Sequence, residues 1–130
     1  MSRNYDALAA WLLAIAAKPF SWKDRHDCGH FAAEVVRQQS GVCVLQDLQW
    51  TSLKEAKRIV AETPFADLVS ARLPEIAPAF AHRGDIAGVE DADFGVRLMM
   101  VEGEYLCAPG PSGLCRVPRK EMIRAWSADV

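Results

Sequence analysis

The apolar residues at the start of the chain recur with a helical period. Four of them are spaced three and four positions apart: Leu8, Trp11, Leu12 and Ile15. This spacing places them on one face of a helix. Asn4 can cap the helix, because its side chain can accept a free amide proton of the first turn, and Pro19 cannot continue it. The pattern therefore predicts a first helix with one buried stripe.

A second helical stripe follows a short aromatic link. Asp27 is a suitable N-cap, because its carboxylate can accept amide protons of the first turn, and Gly41 can end the helix after Ser40. Four residues then share one face: Cys28, Phe31, Ala32 and Val35. His30 and Glu34 lie on another face of the same helix. The pattern predicts a second helix whose first turn carries a cysteine.

Two further helices are indicated by the residues that begin them. Ser52 and Glu55 form a capping box, in which a cap hydroxyl is followed three positions later by an acidic side chain. This predicts a helix through about Ala61. Thr63-Pro64 opens a shorter fourth helix, which cannot extend far past Leu73-Pro74 because proline interrupts the helical hydrogen bonds.

The pattern changes after Pro78. Six glycines now separate short apolar runs: Gly84, Gly88, Gly95, Gly103, Gly110 and Gly113. Three of the runs have the length and composition of strands: residues 86–89, 96–101 and 105–108. Val117-Pro118 closes this region, followed by a short helical turn at 120–124 and a last strand near Trp126. Helices followed by strands predict an α+β fold, with N-terminal helices packed on a small C-terminal antiparallel sheet.

Composition indicates one domain and argues against nucleic-acid binding and membrane insertion. The 130 residues are 51% hydrophobic, enough for one compact domain over residues 1–130. The formal net charge is −2 and the basic residues are scattered, which argues against nucleic-acid binding. The longest apolar run, residues 7–17, is too short to span a bilayer and lacks the positive flank of a signal peptide. We expect a protein made in the cytoplasm without a signal peptide and without membrane insertion.

Cys28 is the main candidate for chemistry. A thiol in the first turn of a helix lies at the positive end of the helix dipole, which favours the nucleophilic thiolate. A cysteine hydrolase also needs a base, usually a histidine from elsewhere in the fold. His30 lies about 200° around the helix from Cys28 and points away from it. His26 and His82 are therefore the candidate bases.

Other roles for these residues stay open. Free cysteine is often buried, so Cys28 can simply be a core residue, and Asp27 can be only a helix cap. His26, Cys28 and His30 form an H-x-C-x-H spacing, which matches no familiar structural zinc pattern. A fourth ligand would have to come from one of the other cysteines: Cys43, Cys107 or Cys115. We predict reduced thiols, no metal site and no cofactor.

Candidate binding residues lie around the same helix start. Trp22 and Trp50 fall in predicted loops, where aromatic side chains often anchor a partner. Asp27 lies beside the thiol. We therefore treat three residues as candidates for binding: Trp22, Asp27 and Trp50.

The order of these elements resembles a known family. A cysteine that opens a core helix, further helices, and then a strand begun by R-G-D resemble the NlpC-type branch of the papain-like cysteine peptidases, which cut peptides in bacterial cell walls. The chain is more closely similar to a family of small phage and prophage proteins encoded among tail genes. The residues that carry the similarity are Phe20-Ser21-Trp22, Asp27-Cys28, Phe31-Ala32-Ala33, Val35-Val36, Arg83-Gly84-Asp85, Gly95, Gly113-Leu114, Val117-Pro118 and Trp126.

The resemblance assigns roles residue by residue. Cys28 matches the family nucleophile. In active NlpC-type enzymes a histidine stands at the start of the second strand, and here that position is Phe94, whose phenyl ring cannot accept a proton. The active enzymes also use a third polar residue, which orients the histidine. This residue has no clear match here, because the following strand offers only Glu104 and Tyr105 at the corresponding place. The fold is therefore expected to be papain-like, with a degenerate active site.

The resemblance implies two alternative functions. In the first, the protein is a phage or prophage tail-tip component or tail assembly protein, made in the bacterial cytoplasm and acting through contacts with other tail proteins of the tip or hub. It is either incorporated into the virion tail or an assembly factor. In the second, it is an active cysteine peptidase or amidase that cleaves peptidoglycan with Cys28, and His26 or His82 is its base.

Overall fold

The first part of the chain folds into four helices. The computed structural model describes residues 3–45 and 47–130. The helices are α1 (Tyr5–Ile15), α2 (Cys28–Ser40), α3 (Leu53–Glu62) and α4 (Phe65–Ser70). All four were predicted from the periodicity and the capping residues. None of these described helices has the length and apolar character needed to cross a membrane.

Side-chain caps determine where the helices begin. The Asn4 side chain accepts a hydrogen bond from the Ala7 amide at 2.9 Å. The Ser52 hydroxyl accepts one from the Glu55 amide at 3.1 Å, which is half of the predicted capping box. The Glu55 carboxylate, however, accepts from the Thr51 amide and not from that of Ser52. Each cap satisfies amide groups that the first helical turn leaves without partners.

The second part of the chain forms one antiparallel sheet. Its strands are β1 (Glu75–Ile76), β2 (Ile86–Asp91), β3 (Gly95–Val101), β4 (Tyr105–Gly110), β5 (Gly113–Pro118) and β6 (Met122–Trp126). Their order across the sheet is β1-β6-β2-β3-β4-β5, and all the neighbouring pairs are antiparallel. Helices first and an antiparallel sheet second confirm the α+β prediction.

Two strands and one turn differ from the prediction. β1 and β5 were not predicted, because both are edge strands with few fully buried residues and no continuous apolar run. The helical turn expected at 120–124 is shorter, a 3₁₀ turn over Arg119–Glu121. Met122 and Arg124 instead pair with β2. Pairing with a central strand outweighs the local helical preference of this segment.

Helix α2 packs on the sheet, mainly against β3, and its buried face is part of the core. The stripe predicted from the sequence is buried, with Phe31 1%, Ala32 4% and Val35 0% exposed. The sheet contributes large buried side chains to the same cluster: Ile86, Met99, Met100, Leu106 and Trp126. Helix α2 is therefore held against β3 by close packing of buried side chains.

The R-G-D segment is a structural turn that joins distant parts of the chain. Gly84 has a left-handed φ of +91°, and a Cβ there would lie 2.2 Å from the Gln39 side-chain oxygen. The Asp85 side chain is 1% exposed and lies 2.6 Å from the Arg3 guanidinium. It also accepts a hydrogen bond from the Ala128 amide at 3.1 Å. Asp85 thus links the two ends of the chain to the start of β2.

We expect Asp85→Asn to lower the free energy of unfolding by about 3 kcal/mol, because it removes one partner of a buried ion pair and leaves the Arg3 charge poorly compensated. Asp129→Asn is the matched control, since Asp129 also binds Arg3 but its side chain is 59% exposed. Its cost should stay below about 1 kcal/mol. Urea unfolding of both variants measures the difference, and equal midpoint shifts would contradict this account of Asp85.

Candidate functional site

The candidate site is built on the first turn of α2. The Asp27 carboxylate accepts hydrogen bonds from the amides of Gly29 at 3.1 Å and His30 at 3.0 Å. Asp27 is therefore the N-cap, as predicted, and Cys28 is the first residue of the helix. The thiol lies where the helix dipole favours a negative charge.

The surroundings of the Cys28 sulfur disfavour a negative charge on it. Cys28 is half-buried and lines a cavity of about 70 Å³. Most of the cavity wall is apolar, including Trp22, Leu48, Trp50, Phe65, Phe94 and Leu98. Burial raises the pKa of the Cys28 thiol to about 11, and the charge of Asp27 acts in the same direction, against a backbone hydrogen bond at Leu98. Cys28 is therefore protonated at neutral pH.

An aromatic cluster lies at the Cys28 cavity, and three of its rings, those of Trp22, Phe65 and Phe94, line it. Phe94 precedes β3 and lines the same cavity as Cys28. Its ring lies 6.3 Å from that of Trp22 and 6.2 Å from that of Phe65, centroid to centroid. Phe20 extends the cluster, with its ring 5.1 Å from Trp22. These contacts are hydrophobic and provide no proton acceptor.

The histidines are placed away from the thiol. Among the described residues, no histidine lines the Cys28 cavity. His26 and His30 line a second cavity, whose lining does not include Cys28. The His82 side chain is 58% exposed and its Nε2 lies 3.8 Å from an Asp85 oxygen. The structure thus does not bring either candidate base, His26 or His82, to the candidate nucleophile.

Asp27 has a second contact that the sequence analysis did not identify. Its other carboxylate oxygen lies 2.6 Å from Nδ1 of His30. The His30 ring in turn lies 4.1 Å from that of Trp50, centroid to centroid. The spacing of three residues along a helix was the signal for the pair, because such residues are neighbours on the helix surface.

The two candidate tryptophans occupy different environments. Trp50 is only 5% exposed, so it lies inside the protein and not at the surface expected from its loop position. Gly29 makes room for it, since a Cβ there would lie 2.8 Å from Trp50 Cζ2. Trp22 is half-buried at the edge of the Cys28 cavity. Of the two, Trp22 is the one with area left to contact a ligand or partner.

The cysteines do not indicate a metal site. All four are free thiols. Within residues 3–45 and 47–130, no three His, Cys, Asp or Glu side chains are grouped so that they could hold a metal ion. The H-x-C-x-H spacing does not produce such a group, because Cys28 faces one cavity while His26 and His30 face the other.

We expect iodoacetamide to alkylate Cys28 far more slowly than Cys43, which is exposed and provides an internal control. With a pKa of about 11, the thiolate fraction of Cys28 at neutral pH is on the order of 10⁻⁴. Peptide mapping by mass spectrometry measures both rates, and the Cys28 rate should continue to rise up to about pH 11. In urea the two residues should react alike. Rapid alkylation of native Cys28 at neutral pH would contradict the protonated state.

Comparison with known proteins places the chain in a family. A model of one family, described as a domain of unknown function (DUF6950), matches residues 2–128. The match covers all four helices and all six strands. A comparison with curated proteins finds no match. The chain therefore belongs to the DUF6950 family.

Proposed function

We propose that the protein is a phage or prophage tail component, acting at the tail tip or in tail assembly, with a degenerate NlpC-type papain-like fold. It acts through protein–protein contacts with other tail proteins and not by hydrolysis. One observation carries the proposal: Cys28 heads its helix, as the family nucleophile does, but faces an apolar wall that contains Phe94.

The arrangement of elements supports the papain-like part of the proposal. Cys28 opens a helix that packs on an antiparallel sheet, and the hairpin from β2 to β3 brings Phe94 to the same cavity. This is the arrangement expected if the chain shares the NlpC-type fold and Phe94 replaces the histidine. The papain-like part of the proposal rests on the order of the elements along the chain and on the short motifs that match the family.

The chemistry of the cavity supports a role other than hydrolysis. A positioned general base contributes about 10²- to 10⁴-fold to the rate of such a reaction. Cys28 lacks such a base among the described residues, and its raised pKa keeps it in the weakly nucleophilic thiol form. Both losses act on the same step, the attack of sulfur on a carbonyl. The surroundings of Cys28 are therefore unsuited to hydrolysis with this residue as the nucleophile.

Exposed aromatic side chains on another part of the surface support a contact role. Phe80 is 76% exposed and Tyr105 is 53% exposed. Arg119 links the segments that carry them, because its guanidinium donates to the Pro78 carbonyl and its amide donates to the Glu104 carbonyl. We call Phe80 and Tyr105 the aromatic edge. Large exposed aromatic side chains are typical of protein interfaces, and the proposed partner is another tail protein.

The proposal is tested in the phage or prophage that encodes the chain. Cys28→Ala should leave the titre of infectious particles unchanged, since the thiol performs no reaction. Replacing both Phe80 and Tyr105 by serine should lower the titre at least about tenfold, because interface aromatics often contribute more than 1 kcal/mol each. Leu13→Ser is the matched control, because Leu13 is 81% exposed on α1 and lies outside the aromatic edge.

The same variants separate the two alternative functions. A Cys28→Ala protein that folds normally but abolishes infectivity, together with release of stem peptides from peptidoglycan by the native protein only, would establish the peptidase instead. A normal titre for the Phe80 and Tyr105 double variant would show that the aromatic edge is not the surface that contacts another tail protein.

A further inference from the structure

Four aromatic side chains line the Cys28 cavity. Those of Trp22, Phe65 and Phe94 are half-buried and keep accessible surface, whereas Trp50 is almost fully buried. The volume of the cavity is about 70 Å³, which exceeds the space of about 30 Å³ that one water molecule takes in the liquid. The cavity therefore has room for a small compact group that is larger than water.

The three half-buried rings form adjoining walls. The ring of Phe94 is tilted by 42° to that of Trp22 and by 61° to that of Phe65, so the rings are not stacked in parallel. Each ring comes from a different part of the chain, namely the link before α2, the start of α4 and the turn before β3. The Phe94 amide donates to the Asp91 carboxylate at 2.9 Å, which holds this turn in place. Cages of aromatic rings bind quaternary ammonium groups in other proteins.

The charged residues of the cavity favour a cation over an anion. Among the described residues, two charged side chains line it, those of Asp27 and Arg72. The Arg72 guanidinium is already paired, because it donates to both carboxylate oxygens of Asp47, at 2.9 and 3.0 Å. The Asp27 carboxylate has no arginine or lysine partner among the residues that the structure describes. Its negative charge therefore acts on whatever group occupies the cavity.

The Cys28 thiol responds to this negative charge. Burial is the largest cause of its raised pKa, and among the charged groups Asp27 and Asp91 raise the pKa while Arg97 lowers it. A carboxylate that disfavours a thiolate stabilises a cation at the same place.

The polar atoms at the cavity already have partners. One oxygen of Asp27 accepts the amides of Gly29 and His30, and the other lies against the His30 ring. The thiol has its backbone hydrogen bond at Leu98. A ligand with N–H or O–H groups would lose hydrogen bonds to water on entering such a cavity. A fully methylated ammonium group has none to lose, and its methyl groups can pack on the rings.

We propose that the Cys28 cavity binds a methylated ammonium group among the rings of Trp22, Phe65 and Phe94. The positive charge interacts with the negative faces of the rings and with the Asp27 carboxylate. The same group occurs in choline and in methylated lysine. The site is separate from the aromatic edge, so the proposal does not depend on the proposed tail function.

Choline and neohexyl alcohol test the role of the charge, because a carbon atom of the alcohol replaces the choline nitrogen and the shape is nearly the same. The indole resonance of Trp22 is followed by NMR at neutral pH and constant ionic strength. Choline should shift it to saturation and bind at least about tenfold more tightly than the alcohol. The indole of Trp11, which does not line the Cys28 cavity, should not respond. A short peptide with trimethylated lysine is compared with choline, and the tighter ligand identifies a protein-borne or a free group.

One variant and a matched control complete the test. Phe94→Leu should weaken choline binding about tenfold, because it keeps the apolar contact but removes one ring, and it should leave binding of the alcohol nearly unchanged. Tyr5→Leu is the control, because Tyr5 is an aromatic residue that is 42% exposed and lies outside the cavity. Circular dichroism checks that both variants fold, and the two-ligand comparison on the native protein decides even if Phe94→Leu is unstable.

Three results would overturn the proposal. The first is the lack of a saturable shift of Trp22 with choline or the peptide. The second is equally tight binding of neohexyl alcohol, which would make the cavity a purely hydrophobic one. The third is an equal loss of choline binding in folded Phe94→Leu and Tyr5→Leu.

Discussion

The capping of α2 by Asp27 is the interaction on which the rest of the site depends. One carboxylate oxygen accepts the amides of Gly29 and His30, and the other lies against the His30 ring. This fixes where the helix begins and therefore the direction of each later side chain. At 100° per residue, a helix that turns Cys28 toward the sheet must turn His30 away from it. The thiol and the imidazole are separated by helix geometry and not by distance along the chain.

Two opposing effects act on the ionisation of the Cys28 thiol, and their relative sizes decide whether it is protonated. The helix dipole stabilises a charge in the first turn by about 0.3 to 1 kcal/mol at an exposed site. Burial among aromatic and aliphatic side chains raises the Cys28 pKa from 9.0 to about 11, a change in the free energy of ionisation of about 3 kcal/mol. Desolvation therefore outweighs the dipole. A cysteine at a helix start becomes a nucleophile only where polar groups or a base accompany it.

Much of this fold can be predicted from local sequence signals, but the candidate site cannot. Caps and periodicity predict α2 from Asp27 to Gly41, since the groups that satisfy a helix end are close in sequence. The edge strands β1 and β5 were missed because their stability comes from neighbouring strands. The burial of Trp50 depends on Gly29, twenty-one positions earlier. The burial of His26, 4% exposed, likewise depends on how a loop turns against a helix, which periodicity does not describe.

The aromatic cluster explains why the Cys28 cavity is hydrophobic and why no histidine lines it among the described residues. Phe94 packs against Trp22 and Phe65, so its ring contributes to the stability of the segment before β3. An imidazole at that position would bring a polar group into an apolar wall, where it needs a hydrogen-bond partner that the cluster does not offer. The packing around Phe94 therefore disfavours a polar side chain at this position. Placing a histidine beside Cys28 would therefore require changes to the neighbouring rings as well, because Phe94 packs against both Trp22 and Phe65.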